Sequence, residues 1–189
     1  VAEVAGLRSG DDLFAVDCER ARQALLLDPR VARAEVAHAW LRGVRVRIVE
    51  REPVLLVRHG APWEVDSAGV LLPPLARGVV ADVPLLTGPD FSRLRGGTQV
   101  RTVEVRRGLA WVRALGAPDL QLAGEVSEVD VADADSTAIL MMDGTKVLAP
   151  AWPPDARVLS ALRVVLKDLP QRQVRPGAVD LRFEDLVVV

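Results

Sequence analysis

The chain is poor in the residues that most often carry chemistry. It has one cysteine, Cys18, and two histidines, His38 and His59. A single thiol excludes an internal disulfide framework and any multi-cysteine metal site, and two histidines leave little for metal or acid–base work. Tyr and Asn are absent, and Lys occurs only at positions 146 and 167, so the positive charge is almost all arginine. No sign of charge dominates: 24 basic residues stand against 26 acidic ones, a net charge of −2. That balance argues against a nucleic-acid binder, which needs a concentrated basic face. No apolar run reaches the roughly 20 residues that span a bilayer.

What is present is the composition of a folded protein, 50% hydrophobic and 26% charged, in a length that fits one large domain or two small ones. Residues 1–7 alternate as a short strand. Ser9-Gly10-Asp11-Asp12 reads as a capping box ahead of Leu13 and Phe14. Asp17 is a second N-cap, opening a helix from Cys18 to Leu27 that Asp28-Pro29 stops. The stretch 31–40, a turn at Leu41-Arg42-Gly43 and the alternating run from Val44 form a hairpin. Val44, Val46 and Ile48 take one side of it, Arg45 and Arg47 the other. The order strand, helix, helix, strand, strand is a compact α+β module.

Further strand-like pieces follow at 54–57, 62–65 and 70–72. Pro73-Pro74 and Gly78 interrupt the pattern, and the domain boundary is placed there, giving units 1–72 and 73–189. The second unit reads as a strand at 83–87, a helix from Thr98 to Leu115, and strands at 125–131, 137–142 and 145–149. Asp143-Gly144 is the strongest hairpin signal, read as a primed turn with positive φ at both positions. A helix over 155–169 carries the stripe Val158, Leu159, Leu162, Val165, Leu166 and Leu169. The fold class is α+β, with the β-α-α-β-β module followed by a mixed sheet packed with two helices.

Catalytic and cofactor motifs are missing. Asp130, Asp133 and Asp135 sit in a segment, 119–143, with seven acids and no base, and suggest a hard-cation site for a metal-dependent enzyme. The complete calcium-loop pattern is lacking, so a solvated strand end is the favoured reading. Arg95-Gly96-Gly97-Thr98 lacks the Lys and the glycine spacing of a phosphate loop. His38, His59 and Cys18 read as structural. Seven Arg against three acids between Arg30 and Arg58 suit an acidic partner or anionic lipid; the wet face of a hairpin is preferred, because no aromatics are interleaved. No catalytic residue, metal or cofactor is assigned.

The first module, with Asp28-Pro29-Arg30-Val31, Ala34-x-Val36, Trp40 and the ending Val46-x-Ile48-x-Glu50-Arg51-Glu52-Pro53, resembles the POTRA domain of the bacterial FtsQ/DivIB cell-division family. The terminal Val179-Asp180-Leu181-Arg182-Phe183 is similar to the last part of that family's β domain. Leu41 departs from the family, which usually has Pro after the Trp. The resemblance implies a short cytoplasmic tail and one membrane helix upstream of Val1, with this region outside the cytoplasmic (inner) membrane at the division septum. It also implies a non-enzymatic divisome scaffold that binds the FtsB–FtsL coiled-coil pair and other division proteins, but no nucleic acid. POTRA modules serve outer-membrane assembly and secretion as well, which is the rival reading.

The resemblance also implies a partner contact on the C-terminal hairpin, where the family's Arg and following aromatic match Arg182 and Phe183; with the terminal Leu186, Val187, Val188 and Val189 these make the expected partner site. Val179, Leu181 and Phe183 would face one way and Asp180 and Arg182 the other, with a turn at Glu184-Asp185. An apolar last strand presents an open edge that invites strand addition. Arg182 would pair with a partner carboxylate and Phe183 would supply an apolar anchor. A proline at Val188 would remove one ladder donor at little cost to folding.

Overall fold

The computed structural model describes residues 3–7, 12, 15–39, 43–76, 78–171, 177–183 and 188. They fall into two units, Val1–Glu52 and Pro53–Val189.

In the first unit, α1 (Cys18–Leu26) starts at Asp17, whose carboxylate accepts the Arg20 N–H at 2.9 Å and satisfies one of the helix's orphan donors. Before Pro29, the N–H groups of Leu27 and Asp28 close onto the Ala24 and Leu25 carbonyls. The chain then enters β1 (Val31–His38), which pairs antiparallel with β2 (Val44–Glu50). Ala21 and Leu25 of the helix bury against Val31 and Ala34, with Val36, Val46 and Ile48 packed alongside. The arginines fall on the other face as the alternation requires. Arg33, Arg45 and Arg47 are exposed there, and Glu35 stands opposite Arg47 in the ladder. Among the described residues 3–7 the expected opening strand is not formed. Glu3 to Gly6 make a turn closed by the Gly6 N–H on the Glu3 carbonyl at 3.0 Å, with Gly6 at φ +69, a left-handed conformation that ends extended chain. The helix expected after Ser9, and Trp40, Leu41 and Arg42, lie outside the described residues.

The second unit is a mixed sheet of eight strands among the described residues, in the order β10-β9-β8-β7-β6-β3-β4-β5. The strands are β3 (Pro53–His59), β4 (Ala61–Asp66), β5 (Leu71–Leu72), β6 (Leu85–Thr87), β7 (Val126–Asp130), β8 (Ser136–Met141), β9 (Lys146–Pro150) and β10 (Val179–Asp180). Parallel neighbours need a crossover of a dozen or more residues, and both remaining helices are such crossovers. α2 (Val103–Leu115) joins β6 to its parallel neighbour β7, and α3 (Ala156–Gln171) joins β9 to β10. Leu86, Val129, Ile139 and Val147 of the strands form one core with Trp111 and Leu115 of α2 and Leu159, Leu162 and Leu169 of α3. The α3 stripe is therefore where the 3.6-residue period put it.

The boundary differs from the expected 72/73. Residues 53–72 supply β3, β4 and β5, and Leu56 of β3 pairs with Leu85 of β6, so these strands belong to the second sheet. Pro73-Pro74 ends a strand rather than a domain. α2 starts at Val103, not Thr98, because the preceding residues cap the sheet edge. Gly97 N–H bonds the Leu71 carbonyl at 2.8 Å, Leu71 N–H the Thr98 carbonyl at 2.9 Å, and Val100 N–H the Gly69 carbonyl at 2.8 Å. Gly69 is required there: it sits at φ +78, and a Cβ would lie 2.7 Å from the Val100 carbonyl oxygen. Thr102 then caps the helix.

The β8–β9 turn also differs from expectation. Gly144 has φ +89, while Asp143 is not in the left-handed region. Gly144 N–H reaches the Met141 carbonyl at 3.0 Å and Met141 N–H the Thr145 carbonyl at 2.9 Å. That is a three-residue loop with a glycine bulge, in place of a two-residue primed turn.

Candidate partner-binding edge

β10 is held against β9 in parallel, with Val179 opposite Val147 and Asp180 opposite Leu148. The Leu181 N–H extends the ladder to the Leu148 carbonyl at 2.8 Å. Val179 and Leu181 are buried, so the alternation anchors this end of the chain in the core. On its outer side Asp180 exchanges two backbone bonds with Val188: Asp180 N–H to the Val188 carbonyl at 2.8 Å, and Val188 N–H to the Asp180 carbonyl at 3.0 Å. Val188 therefore lies antiparallel beside Asp180 and is the outermost described residue of the sheet. Leu186, Val187 and Val189, and the turn residues Glu184 and Asp185, lie outside the described residues.

Two features depart from the expected edge. Val188 is 45% exposed, yet both its backbone groups are occupied by Asp180. A proline there would break an internal bond and is not the mild perturbation expected of an open position. Phe183 does not face inward with Val179 and Leu181; it is 54% exposed. β10 ends at Asp180, so strand periodicity no longer governs Phe183.

Arg182 lies on the surface and is held by Asp180. Its Nε approaches the two carboxylate oxygens at 3.0 and 3.1 Å, its Nη2 approaches Oδ2 at 2.6 Å, and its backbone N–H reaches Oδ1 at 2.9 Å. The charge-assisted bonds from Arg182 hold the Asp180 carboxyl below the usual aspartate range and raise the guanidinium further. Sequence alternation placed these two residues on one face. Their ion pair was not foreseen, although acid and base two apart on one strand is the signal for it.

Two of the three aspartates considered for a cation site, Asp130 and Asp133, turn their carboxylates onto the chain. Asp130 accepts the Ala132 N–H at 2.9 Å, and Asp133 accepts those of Asp135 at 2.7 Å and Ser136 at 3.2 Å. The Asp135 and Ser136 N–H groups hold the Asp133 carboxyl below its ordinary range. These are turn-forming bonds of the kind Asp makes at strand ends. No group of three or more potential metal-ligating side chains occurs among the described residues.

His59 stacks on Trp63 with ring centroids 4.0 Å apart, and its Nε2 lies 2.8 Å from the Leu94 carbonyl oxygen. His38 is exposed at the end of β1, and Cys18 is half-buried at the start of α1.

A residue that sequence reasoning passed over is Arg107 of α2, only 2% exposed. Its Nε donates to the Ala151 carbonyl at 3.2 Å, and Nη1 to those of Asp133 at 2.8 Å and Ala134 at 3.2 Å. Nη2 donates to the Ser136 carbonyl and to Thr137 Oγ1 at 3.0 Å. It clasps the β7–β8 connection to the helix, a structural role. The helical period is the signal for it: Arg107 stands four and eight residues before Trp111 and Leu115, on the buried stripe, whereas Arg106 and Arg113 fall on the exposed side.

Residues 1–51 match the family described as POTRA domain, FtsQ-type, and residues 56–182 match Cell division protein FtsQ/DivIB, C-terminal. The division between the structural units, after Glu52, falls in the short gap between the two matches, and the second match stops one residue before Phe183. The cell division protein FtsQ of Geotalea daltonii is 26% identical over 193 residues, covering 100% of this chain and 69% of that protein. The Streptomyces coelicolor protein of the same name is 28% identical over 179 residues, covering 90% of this chain and 65% of its own. That of Streptomyces collinus is 30% identical over 158 residues, covering 80% and 57%. With both units matched in order, the chain belongs to the FtsQ/DivIB family of bacterial cell-division proteins.

Proposed function

We propose that this chain is a non-enzymatic scaffold of the division machinery whose second unit receives a partner at its C-terminal edge. The observation that carries this reading is the terminal reversal itself. Phe183 and Val188 are exposed, Arg182 lies on the surface, and Val188 bridges Asp180, two residues before Arg182, which supports this reading. Exposed aromatic and arginine side chains beside a sheet edge supply the anchors by which a strand-adding partner is held. The partner proposed is the FtsB–FtsL-type coiled-coil pair, acting outside the cytoplasmic membrane at the septum, with a membrane helix upstream of Val1. No described helix of this chain is itself long and apolar enough to cross a membrane. An incoming strand would have to use backbone groups other than those of Val188.

The test is calorimetric titration of the chain with the soluble ectodomains of the FtsB–FtsL-type pair from the same genome. Phe183→Ala is expected to weaken binding by at least tenfold, the behaviour of an aromatic anchor, and Arg182→Glu to weaken it further at low salt. Unchanged binding by both variants, with melting midpoints intact, would move the interface away from this edge, to the Arg33–Arg45–Arg47 face of the first unit.

A further inference from the structure

The guanidinium of Arg182 has two forks. Asp180 fills the side-on fork, formed by Nε and Nη2. Among the described residues no hydrogen bond occupies the end-on fork, formed by Nη1 and the second proton of Nη2. The Asp180 main chain is in turn fixed from both sides, by its parallel pairing with Leu148 and by its two bonds to Val188. The clamp is thus built on a strand inside the sheet, while the Arg182 side chain it holds stays 48% exposed and the Asp180 side chain only 15%.

Resting on the partner site proposed above, we infer that Asp180 is a positioning residue: it locks Arg182 side-on so that the end-on fork is presented, already oriented, to a carboxylate of the incoming segment. A free arginine side chain loses much of its rotamer freedom when it binds, and a planar fork ordered beforehand avoids that cost. The opposing effect is repulsion between Asp180 and the incoming carboxylate across the guanidinium. The two carboxylates would lie closer than the Debye length of about 8 Å at physiological salt, so salt screens their repulsion only in part; the high dielectric of the surrounding water keeps it small, and ordering is the larger effect. The balance shifts as salt falls, because repulsion grows while ordering does not change. Asp180 therefore also sets how strongly the site depends on salt. With Asp180 in place the pair is electrically neutral; without it the guanidinium keeps only the weaker attraction of the Asp133 carboxylate.

The experiment is a double-mutant cycle on the whole chain, with Asp180→Asn and Arg182→Ala alone and together. Each variant is titrated with the same FtsB–FtsL-type ectodomain pair at 50 and 150 mM added salt, and melting midpoints are recorded in parallel. The expected result at 150 mM is a weakening of about two- to fivefold for Asp180→Asn, the scale of an exposed ion pair, and no further effect of Asp180→Asn once Arg182 is Ala. At 50 mM the penalty of Asp180→Asn should shrink, which a purely structural role would not do. An equal penalty in both Arg182 backgrounds, a penalty that ignores salt, or tighter binding by Asp180→Asn at 150 mM overturns the inference while leaving the partner site standing. If Arg182→Ala itself binds like the unaltered chain, Arg182 takes no part in binding and both this inference and the carboxylate pairing fail together.

Discussion

Replacing Arg107 with Met tests whether a buried cation surrounded by carbonyl groups holds the second unit together. Met keeps an unbranched chain of good helix propensity and fills much of the same volume, so the change removes chiefly the guanidinium. Five hydrogen bonds go with it, to Ala151, Asp133, Ala134, Ser136 and Thr137. Not every acceptor is orphaned. The Ala151 carbonyl still receives the Trp111 Nε1–H at 3.1 Å and the Thr137 hydroxyl at 3.0 Å. The exposed Asp133 and Ala134 offer their carbonyls to water once this donor is gone, but the half-buried Ser136 carbonyl and the buried Thr137 hydroxyl lose a donor that water does not readily replace, each at about 1–3 kcal/mol. Two such losses, offset in part by removing a buried charge, come to about 3–4 kcal/mol. For a unit of this size that is a fall in melting midpoint of about 10–15 °C. The control is Arg113→Met on the exposed face of the same helix, expected to stay within about 0.5 kcal/mol. Thermal unfolding followed by near-UV circular dichroism reads both. A midpoint for Arg107→Met within 2 °C of the unaltered chain, or equal falls for the two variants, would refute the clasp.

Leu162→Ala, at a site 1% exposed in the shared core, should cost about 2–5 kcal/mol in chemical denaturation; an unchanged midpoint would mean that the stripe is not buried. A fragment of residues 53–189 should give cooperative unfolding, whereas 73–189, which lacks β3, β4 and β5, should not; the opposite outcome restores the boundary at Pro73. Acid should loosen the β7–β8 turn and the terminal reversal, because Asp133 and Asp180 both titrate below their ordinary values in the folded chain. Groups of lowered pKa stabilise above the unfolded value of about 3.9 and lose that contribution as pH falls through the folded value. Protection factors of the Ser136 and Arg182 amides, corrected for intrinsic exchange, should therefore fall below about pH 4 and hold steady from about pH 5 to 7.

Where sequence reading located elements well, the local signal and the tertiary arrangement agreed. The α3 stripe has one period throughout and one face to bury, so nothing competed with it. Asp17 was legible because an N-cap is decided by its own side chain and the next turn of backbone. The errors fall where distant chain decides. Thr98 to Arg101 have helix-compatible residues, but the edge at Leu71 needed partners, and the ladder bonds to Gly97, Thr98 and Val100 outweighed an earlier helix start. The boundary was misplaced for a similar reason. Pro73-Pro74 is the stronger break in the sequence, whereas the true division at Glu52–Pro53 is a bare two residues between β2 and β3, and only the pairing of Leu56 with Leu85 reveals it.

The same distinction governs the terminal edge. That Asp180 and Arg182 share a face followed from alternation alone, since a period of two has no alternative within a strand. That Arg182 is already engaged did not follow, because an unpaired arginine was the simpler reading of a site awaiting a carboxylate. Its pairing changes what the edge offers. An isolated cation would attract any anion, whereas under the inference above a guanidinium paired side-on with Asp180 would take a partner carboxylate only at its end-on fork, beside the exposed Phe183. Selectivity at this edge then rests on geometry and apolar contact more than on net charge. That is the arrangement expected of a protein whose charge sums to −2 and which has no general electrostatic attraction for an acidic partner.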